Sequence, residues 1–472
     1  MRDGLLHPLQ VEWDADLTGG DPLGWPAYSD VLARLPRGDS VLTGRAAAGS
    51  GRNEGRYVVI AGRFDVLGGS MGAVHGERVV RAYRRASLEK LPVVVLASSG
   101  GARLQEGMVA LAQLARTSAA ARAHAKAGLL SMAVFRAPTT GGVLASYGSL
   151  TDLRAAQPGA TVGFVGPRVV EVTTGVAPPR QSYTAEAAFA AGVVDALAAP
   201  GEQAAWVELV LDLAEQRLPG RPLPAPPGAA LTPPGDEDGA WQKVLRARAR
   251  SRPSGIDHAA RMCDSWVELR GADPTIRAGL ARIGPHRVVV IASDRHARTG
   301  RPGVAGFRLA RRAIALADRI GLPMLTLVDT PGAEPGPAAE ADGIAGEIAL
   351  TSATLTEARV PTVSLCVGEG GSGGALALAA CDISLMLDHA VASVISPEGA
   401  AAILARDPRE AAAFASRLRL TATDLVALGI VDATVAESDP AVIDRAVRDA
   451  LERARPGDRL RRLDRVTAAW VR

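Results

Sequence analysis

VPTVSLCVGEGGSGGALALAA, residues Val360–Ala380, joins an apolar run to a glycine-rich turn and then to a run of small apolar residues. A short apolar run that ends in glycine is typical of a buried strand, and the alanine- and leucine-rich run favours a helix. The turn contains a literal G-x-G-x-x-G at Gly368, Gly370 and Gly373. That pattern occurs in dinucleotide sites, although a lone match is a weak signal. The stretch therefore predicts a strand, a turn and a helix, and leaves open what the glycines bind.

The first half of the chain carries the same arrangement. Leu129–Ser146, LLSMAVFRAPTTGGVLAS, is a second apolar run that ends in paired glycines. In each half an earlier apolar run also ends in a glycine-containing turn: LPVVVLASSGGAR (Leu91–Arg103) and LPMLTLVDTPGAEPG (Leu322–Gly336). Gly101 and Gly142 are 41 positions apart, and Gly332 and Gly373 have the same separation. The chain is therefore predicted to contain two duplicated α/β domains, with largely parallel sheets.

A segment dense in proline and glycine, Arg217–Gly239, predicts an interdomain linker between residues 1–216 and residues 240–472. The duplication weakens the dinucleotide hypothesis, because that fingerprint belongs on the first turn of a βαβ unit. Here the turn follows the second strong strand of its half. Its twin, Thr139–Gly142, keeps the paired glycines but lacks the fingerprint.

Composition excludes several classes of function. The 472 residues are 47% apolar and 22% charged, as in ordinary globular proteins. A net charge of +3 gives no argument for a nucleic-acid partner. We find no run of about 18 apolar residues and no signal-peptide core, so we expect a cytoplasmic protein without a membrane span. Three scattered cysteines and seven scattered histidines lack metal-ligand spacing, and we expect no metal site.

Paired glycines at a strand-to-helix turn let the backbone approach a ligand and leave N–H groups free to bind an oxyanion. Two such pairs at matched positions favour this reading over simple tight packing. The predicted catalytic residues are Gly141, Gly142, Gly373 and Gly374. We expect their N–H groups to stabilise a thioester or ureido oxygen as it becomes negative.

Further glycine-rich turns predict a groove for an extended substrate such as coenzyme A. Arg103 is a candidate phosphate contact. Asp329 is a candidate acid or base, although an aspartate at a strand end is more often a turn residue. The predicted substrate-binding residues are Gly68, Gly69, Ser70, Met71, Gly100, Gly101, Arg103, Gly332 and Ala333.

A serine hydrolase remains an alternative. Gly370–Gly374 fits G-x-S-x-G by letter around Ser372, between a strand and a helix. Thr140 stands where Ser372 would align in the first half. His389 is the only histidine after Ser372 and would have to serve as its base.

Long ordered motifs carry a family resemblance. The first half resembles the β subunit of bacterial acetyl-CoA carboxylase carboxyltransferase, and the second half resembles the α subunit. The first-half motifs are GGSMGAVHGERVVRA, SGGARLQEGMVALAQLARTSAA, PTTGGVLASYGSLTDL and GATVGFVGPRVVE. The second-half motifs are WQKVLRARARSRPSGIDH, LVDTPGAEPG, GEGGSGGALALAA and SVISPEGAAAIL. The resemblance covers roughly Tyr57 to Ala436.

The resemblance implies a crotonase-like (ClpP/crotonase) fold in each half. It implies carboxyl transfer from carboxybiotin to acetyl-CoA, which gives malonyl-CoA. Gly141 and Gly142 would then stabilise the thioester oxygen, while Gly373 and Gly374 would stabilise the biotin ureido oxygen. The implied partners are a biotin carboxyl carrier protein and a biotin carboxylase, because no biotinylation motif is visible. The family also implies at least a homodimer.

The chain departs from the family pattern in three places. It lacks the four-cysteine zinc ribbon of bacterial β subunits. Glu334 replaces the usual aromatic residue of DTPGAYPG, and the stretch Ser293–Ile314 is shortened. These departures leave the acyl group open. The alternatives are a carboxyltransferase for another acyl-CoA, a biotin-independent malonyl-thioester decarboxylase and a non-catalytic assembly subunit, which would not require the glycine pairs.

Overall fold

The computed structural model describes residues 5–48, 55–164, 171, 175–179, 181–214 and 239–468. It divides into two compact units, Met1–Ala214 (the first unit) and Glu215–Arg472 (the second unit). The predicted linker lies outside the described residues, apart from Gly239.

The first unit is built on one eight-stranded mixed sheet. Its order is β1-β2-β3-β4-β5-β6-β8, and β7 pairs with β5. The β1–β2 and β2–β3 pairs are antiparallel, whereas the pairs from β3 onward are parallel. The strands are β1 (Leu9–Glu12), β2 (Val41–Ala48), β3 (Gly55–Gly62), β4 (Val93–Ser99), β5 (Ser131–Thr140), β6 (Leu153–Ala156), β7 (Val162–Gly163) and β8 (Ala196–Leu197).

The second unit repeats this sheet with the order β9-β10-β11-β12-β13-β14-β16, and β15 pairs with β13. Its first two strand pairs are again antiparallel and the others parallel. The strands are β9 (Ser265–Leu269), β10 (Ile276–Ile283), β11 (His286–Ser293), β12 (Met324–Thr330), β13 (Thr362–Gly371), β14 (Ile383–Leu387), β15 (Val391–Ser393) and β16 (Ala433–Val435).

Helices connect the strands. In the first unit they are Tyr28–Ala33, Ala73–Glu89, Gly107–Lys126, Gly141–Val143 with the π-turn Leu144–Gly148, Ala185–Ala190 and Gln203–Ala214. In the second unit they are Ala240–Ala247, Gly255–Met262, Val304–Ile320, Pro337–Ala341, Ile344–Glu357, Ser372–Ala379, Pro397–Leu404, Ala411–Arg417, Ala422–Ala427, Pro440–Arg453 and Asp458–Ala468. Short 3-10 turns lie at Leu67–Gly69, Leu104–Glu106 and Pro408–Glu410.

The predicted duplication is visible in the central elements. Helices Ala73–Glu89 and Val304–Ile320 both contain 17 residues and begin after an extended glycine N-cap. They start 231 positions apart (304 minus 73), as do β4 and β12 (324 minus 93). All residues of β4, β12 and β13 are buried, which explains why these strands are continuous apolar runs. Each core therefore forms between the central strands and the helices that cover them.

Across the described residues, none of the helices is both long enough and apolar enough to cross a membrane.

Candidate active site

In the first unit, the turns that follow β4 and β5 meet backbone to backbone. Gly101 has φ 121° and Gly141 has φ 60°, angles that side-chain-bearing residues rarely adopt. A Cβ at Gly141 would lie 2.6 Å from the Cα of Gly101. Both positions therefore require glycine for close approach as well as for conformation.

The predicted turn Gly68–Met71 lies beside them. The Met71 N–H donates to the Gly101 carbonyl at 2.8 Å, and the Gly100 N–H donates to the Gly68 carbonyl at 2.8 Å. A Cβ at Gly69 would lie 2.2 Å from the Ser98 carbonyl oxygen. The structure thus brings together the three first-unit turns that sequence analysis selected.

The backbone donors of this site differ in part from the prediction. The Gly141 N–H donates to the Phe164 carbonyl at 3.0 Å, so it is not available to a ligand. Among the described residues, no acceptor is bound to the N–H groups of Gly142 or Ala102. A Cβ at Gly142 would lie 3.5 Å from the Ala102 nitrogen, so these two donors are neighbours. The candidate oxyanion site is therefore Gly142 with Ala102, and the predicted donor role of Gly141 is wrong.

Arg103 lies inside the protein and not on a substrate surface. Its guanidinium donates to Asp39 at 2.5 and 2.9 Å and to the Ser70 carbonyl at 2.9 Å. It also contacts Glu106 at 3.2 Å, and its side chain is 0% exposed. Although burial alone would raise the pKa of Asp39, the guanidinium holds it below its usual range. The structure therefore corrects the predicted phosphate contact of Arg103, because its donors serve protein acceptors.

A buried hydrogen-bonded chain ties the turn at Ser70 to the segment after Gly142. The Ser40 hydroxyl donates to the Ser70 carbonyl at 2.7 Å and lies 2.9 Å from His75 Nδ1. His75 Nε2 lies 3.0 Å from the Tyr147 hydroxyl. Burial lowers the pKa of His75 to about 3, so the imidazole is neutral at physiological pH. The chain positions the turns without adding charge to them.

The second unit repeats the close approach of two turns. Gly332 has φ 127°, and a Cβ at Gly371 would lie 2.2 Å from the Pro331 carbonyl oxygen. A Cβ at Gly374 would lie 2.7 Å from the Ala333 nitrogen. By contrast, no described atom lies within 4 Å of a Cβ built at Gly373, so this glycine faces open space.

Strand pairing agrees with the 41-residue spacing of the two halves and shifts by one residue from the alignment that matches the glycine pairs by letter. Thr139 pairs with Ser99 in β4, and Gly370 pairs with Thr330 in β12, so Thr139 and Gly370 correspond. Ser372 therefore matches Gly141 and not Thr140. It has φ 59°, nearly the angle of Gly141.

This alignment makes Gly373 the counterpart of Gly142, and Ala333 the counterpart of Ala102. In the described part of the chain, the N–H groups of Ala333 and Gly373 have no bound acceptor. Gly374 provides the space for the close approach of Ala333, and within the described residues its N–H group has no bound acceptor either. By correspondence with the first unit, the second candidate oxyanion site is Ala333 with Gly373, and Gly374 remains a further candidate donor.

Asp329 stabilises the second-unit turn through buried hydrogen bonds. Its carboxylate accepts from Arg295 at 3.1 Å and from the Glu369 N–H at 3.0 Å, and the residue is 1% exposed. Burial raises the pKa of Asp329, and Arg295 opposes that rise. These contacts hold the ends of β12 and β13 together, which favours the turn role over the acid–base role.

The serine hydrolase alternative gains no support. Within the described ranges, the Ser372 hydroxyl has no hydrogen bond to His389. His389 lies 3.9 Å from Asp388 and 3.5 Å from Arg246 instead. Asp388, His389 and Glu437 bring potential metal-ligand atoms within 4.8 Å of one another. Glu437 already pairs with an arginine at 2.8 Å, so this group gives no argument for a metal.

Two family models and several relatives match most of the chain. Residues 237–455 match the family model described as acetyl co-enzyme A carboxylase carboxyltransferase-like, and residues 31–228 match the carboxyl transferase domain. The acetyl-coenzyme A carboxylase carboxyl transferase subunits beta/alpha of Salinispora tropica is 41% identical over 469 residues, which cover 91% of this chain and 81% of that protein. A probable biotin-dependent acyl-coenzyme A carboxylase beta3 subunit of Mycobacterium tuberculosis is 37% identical, and the match covers 93% of this chain and 89% of that protein.

Solved structures agree on the fold. Transcarboxylase 12S, a hexamer with methylmalonyl-coenzyme A bound, has a TM-score of 0.78 at 23% identity, covering 94% of this chain and 86% of that one. A single-chain, multi-domain long-chain acyl-CoA carboxylase has a TM-score of 0.75 at 20% identity, covering 93% and 44%. The prediction of two duplicated crotonase-like α/β domains is confirmed.

Proposed function

Because this chain belongs to the family of acetyl-CoA carboxylase carboxyltransferases in which β-type and α-type subunits are fused, we propose that it transfers a carboxyl group from carboxybiotin to acetyl-CoA and forms malonyl-CoA. The observation that carries the proposal is the presence of two backbone donor pairs, Ala102 with Gly142 and Ala333 with Gly373. A two-substrate transfer between a thioester and a ureido group develops negative charge on an oxygen of each substrate. One donor pair is available for each oxygen.

The first pair suits the thioester. As the α-proton leaves the acetyl group, negative charge moves onto the thioester oxygen, and N–H donors stabilise it most at that moment. Residues 31–228, which contain this pair, match the carboxyl transferase domain. The turns at Gly68–Met71 and Gly100–Gly101 remain the proposed coenzyme A contacts.

The second pair suits the ureido oxygen of the donor. Gly373 borders open space, which leaves room for a ligand. Biotin, when delivered on its carrier, supplies the carboxyl group and accepts the α-proton. The residues of this chain then need only bind, orient and stabilise charge, which agrees with the inward orientation of Asp329 and His75.

The acyl group is proposed to be acetyl, since the relatives that are about 40% identical carry the acetyl-CoA carboxylase name. The acyl-coenzyme A carboxylase subunit of Mycobacterium tuberculosis at 37% identity makes another acyl-CoA the alternative. The proposed partners are a biotin carboxyl carrier protein and a biotin carboxylase, with the chain acting as a homodimer or larger homo-oligomer in the cytoplasm.

The reverse reaction tests this proposal. The purified protein is incubated with malonyl-CoA or methylmalonyl-CoA, each with and without biocytin, and the free acyl-CoA is followed. We expect biocytin-dependent formation of acetyl-CoA, with malonyl-CoA the faster substrate. Formation that ignores biocytin would favour the decarboxylase, and a preference for methylmalonyl-CoA would overturn the acetyl assignment.

A further inference from the structure

The two units place different side chains at the same two positions of their turns. Ser70 in the first unit corresponds to Arg301 in the second, because both lie two residues before the glycine N-cap of a 17-residue helix. Arg103 corresponds to Glu334, since both lie two residues after the high-φ glycine of the next turn. Each unit therefore has an arginine at one of these two positions, but not at the same one.

In the first unit this arginine is neutralised. The Arg103 guanidinium pairs with Asp39 and Glu106, and all three side chains are 5% exposed or less. The first donor pair is therefore flanked by a closed, compensated network. It leaves the N–H donors without an unpaired positive charge beside them, which suits the oxygen of a neutral thioester.

In the second unit the arginine lies against the candidate site. The segment that carries Arg301 is fastened at both sides: the Thr330 hydroxyl donates to the Gly300 carbonyl at 2.8 Å, and the Glu334 N–H donates to the Pro302 carbonyl at 3.0 Å. Arg301 Nη1 lies 3.6 Å from the position of a Cβ on Gly332. The guanidinium therefore borders the turn that contains the Ala333 donor.

Nothing in the described part of the chain compensates this charge by direct contact. Arg301 forms no ion pair or hydrogen bond with another described residue, and it is half-buried. The nearest acid along the turn, Glu334, instead accepts from the Thr299 hydroxyl at 3.2 Å. A guanidinium is always charged and binds carboxylates through paired N–H groups.

We propose that Arg301 determines substrate specificity by binding the carboxylate that is transferred, whether it arrives on the donor or leaves on the malonyl thioester. This inference rests on the proposed carboxyltransferase function. The fixed positive charge beside Ala333 and Gly373 makes the second unit the anion-receiving site, while the first unit receives the neutral thioester oxygen.

The test compares two thioesters that differ only in this carboxylate. Malonyl-CoA and acetyl-CoA are titrated into the full-length protein by calorimetry, in wild type, Arg301→Met and Arg301→Lys. We expect Arg301→Met to weaken malonyl-CoA roughly tenfold or more, as for the loss of a charge-assisted hydrogen bond, and to leave acetyl-CoA unchanged. Arg301→Lys restores part of the affinity because it keeps the charge.

Arg298→Met is the matched control, since Arg298 is an exposed arginine of the same loop. It should leave both affinities unchanged.

A second measurement locates the carboxylate. If malonyl-CoA binding is unaffected but KM for the carboxylated carrier rises in Arg301→Met, Arg301 binds the carboxylate on the donor. KM for biocytin, which has no such carboxylate, should not move in either case.

Equal loss of both thioesters, or no change in any of these quantities, would overturn the role of Arg301. That failure is separate from failure of the proposed function, which would appear as wild-type turnover that does not depend on biocytin.

Discussion

Gly373→Ala separates a ligand-binding role of the second turn from a packing role. Gly373 lies in the first turn of helix Ser372–Ala379, and its φ is not in the left-handed region. A methyl group there meets no described atom within 4 Å. The substitution therefore costs no close contact. Because alanine restricts the unfolded chain more than glycine does, it stabilises the helix by up to about 1 kcal/mol.

If the proposed oxygen is bound in the open space beside Gly373, the same methyl group would occupy part of that space. Alanine keeps the backbone N–H, so the methyl group acts only by excluding the bound oxygen from the donors. Complete exclusion should lower kcat at least as much as removal of one oxyanion donor, roughly 10²–10³-fold or about 3–4 kcal/mol of transition-state stabilisation. The expected variant is thus as stable as wild type, or slightly more so, and nearly inactive. A structural glycine would give the opposite result, with lower stability and residual activity in proportion to the folded fraction.

The assay measures kcat for biocytin-dependent acetyl-CoA formation from malonyl-CoA, and the midpoint of urea unfolding. Gly346→Ala is the matched control, because Gly346 lies in helix Ile344–Glu357 and also faces open space. It should gain the same stability and keep wild-type kcat. A Gly373→Ala variant with wild-type kcat would refute the placement of the bound oxygen beside Gly373, and one that unfolds would refute the geometry.

Three further predictions follow from buried or strained side chains. Burial lowers the pKa of His75 from 6.5 to about 3, so the unfolded chain takes up this proton at higher pH than the folded chain does. The free energy of unfolding is therefore full above pH 6.5 and falls by roughly 1 kcal/mol per pH unit below it. His75→Gln should flatten this slope in urea unfolding between pH 7 and 4.5, and an unchanged slope would contradict the assignment. Arg103→Met leaves Asp39 buried and unpaired and should lower the free energy of unfolding by about 3–5 kcal/mol, whereas a selective rise in KM for acyl-CoA with intact stability would restore the phosphate contact. Ser372→Gly relieves a left-handed serine and should raise stability by about 1 kcal/mol with turnover retained; loss of turnover would revive the serine hydrolase.

The elements that position the site could be predicted from the sequence because their signals are local. Continuous apolar runs marked β4, β5, β12 and β13, and glycines marked their ends. The 41-residue spacing of Gly101 and Gly142 recurs in the second half and indicated that the two turns belong together. The apolar runs and their terminal glycines depend on residues a few positions apart, and the spacing depends on comparing the two halves.

Two sequence signals disagree on the register of the glycine pairs, because the 41-residue spacing aligns Gly142 with Gly373 and the matching letters do not. Matching letters placed Gly141 and Gly142 opposite Gly373 and Gly374. The structure places Ser372 opposite Gly141, because the backbone conformation at that position is kept while the residue type is not. Torsion angles, and not residue identity, decide which N–H groups become donors.

Two other corrections have long-range or backbone causes. Arg103 meets Asp39, which lies 64 positions earlier in the chain, so its burial has no local signal. Ala102 contributes only its N–H group, and alanine carries no chemical signature, so it was not predicted. Its counterpart Ala333 was among the predicted substrate-binding residues. The sequence feature that both share is a place directly after a turn glycine, Gly101 or Gly332.

Transfer of the carboxyl group to biotin is the central claim, and one isotope experiment tests it directly. Malonyl-CoA labelled with ¹⁴C in its free carboxyl group is incubated with the wild-type protein and biocytin at alkaline pH, and the label in acid-labile carboxybiocytin is counted against acetyl-CoA formed. We predict that label appears in biocytin in step with acetyl-CoA, and that acetyl-CoA formation stops when biocytin is omitted. Acetyl-CoA formed at the same rate without biocytin, with all label released as CO₂, would contradict the account.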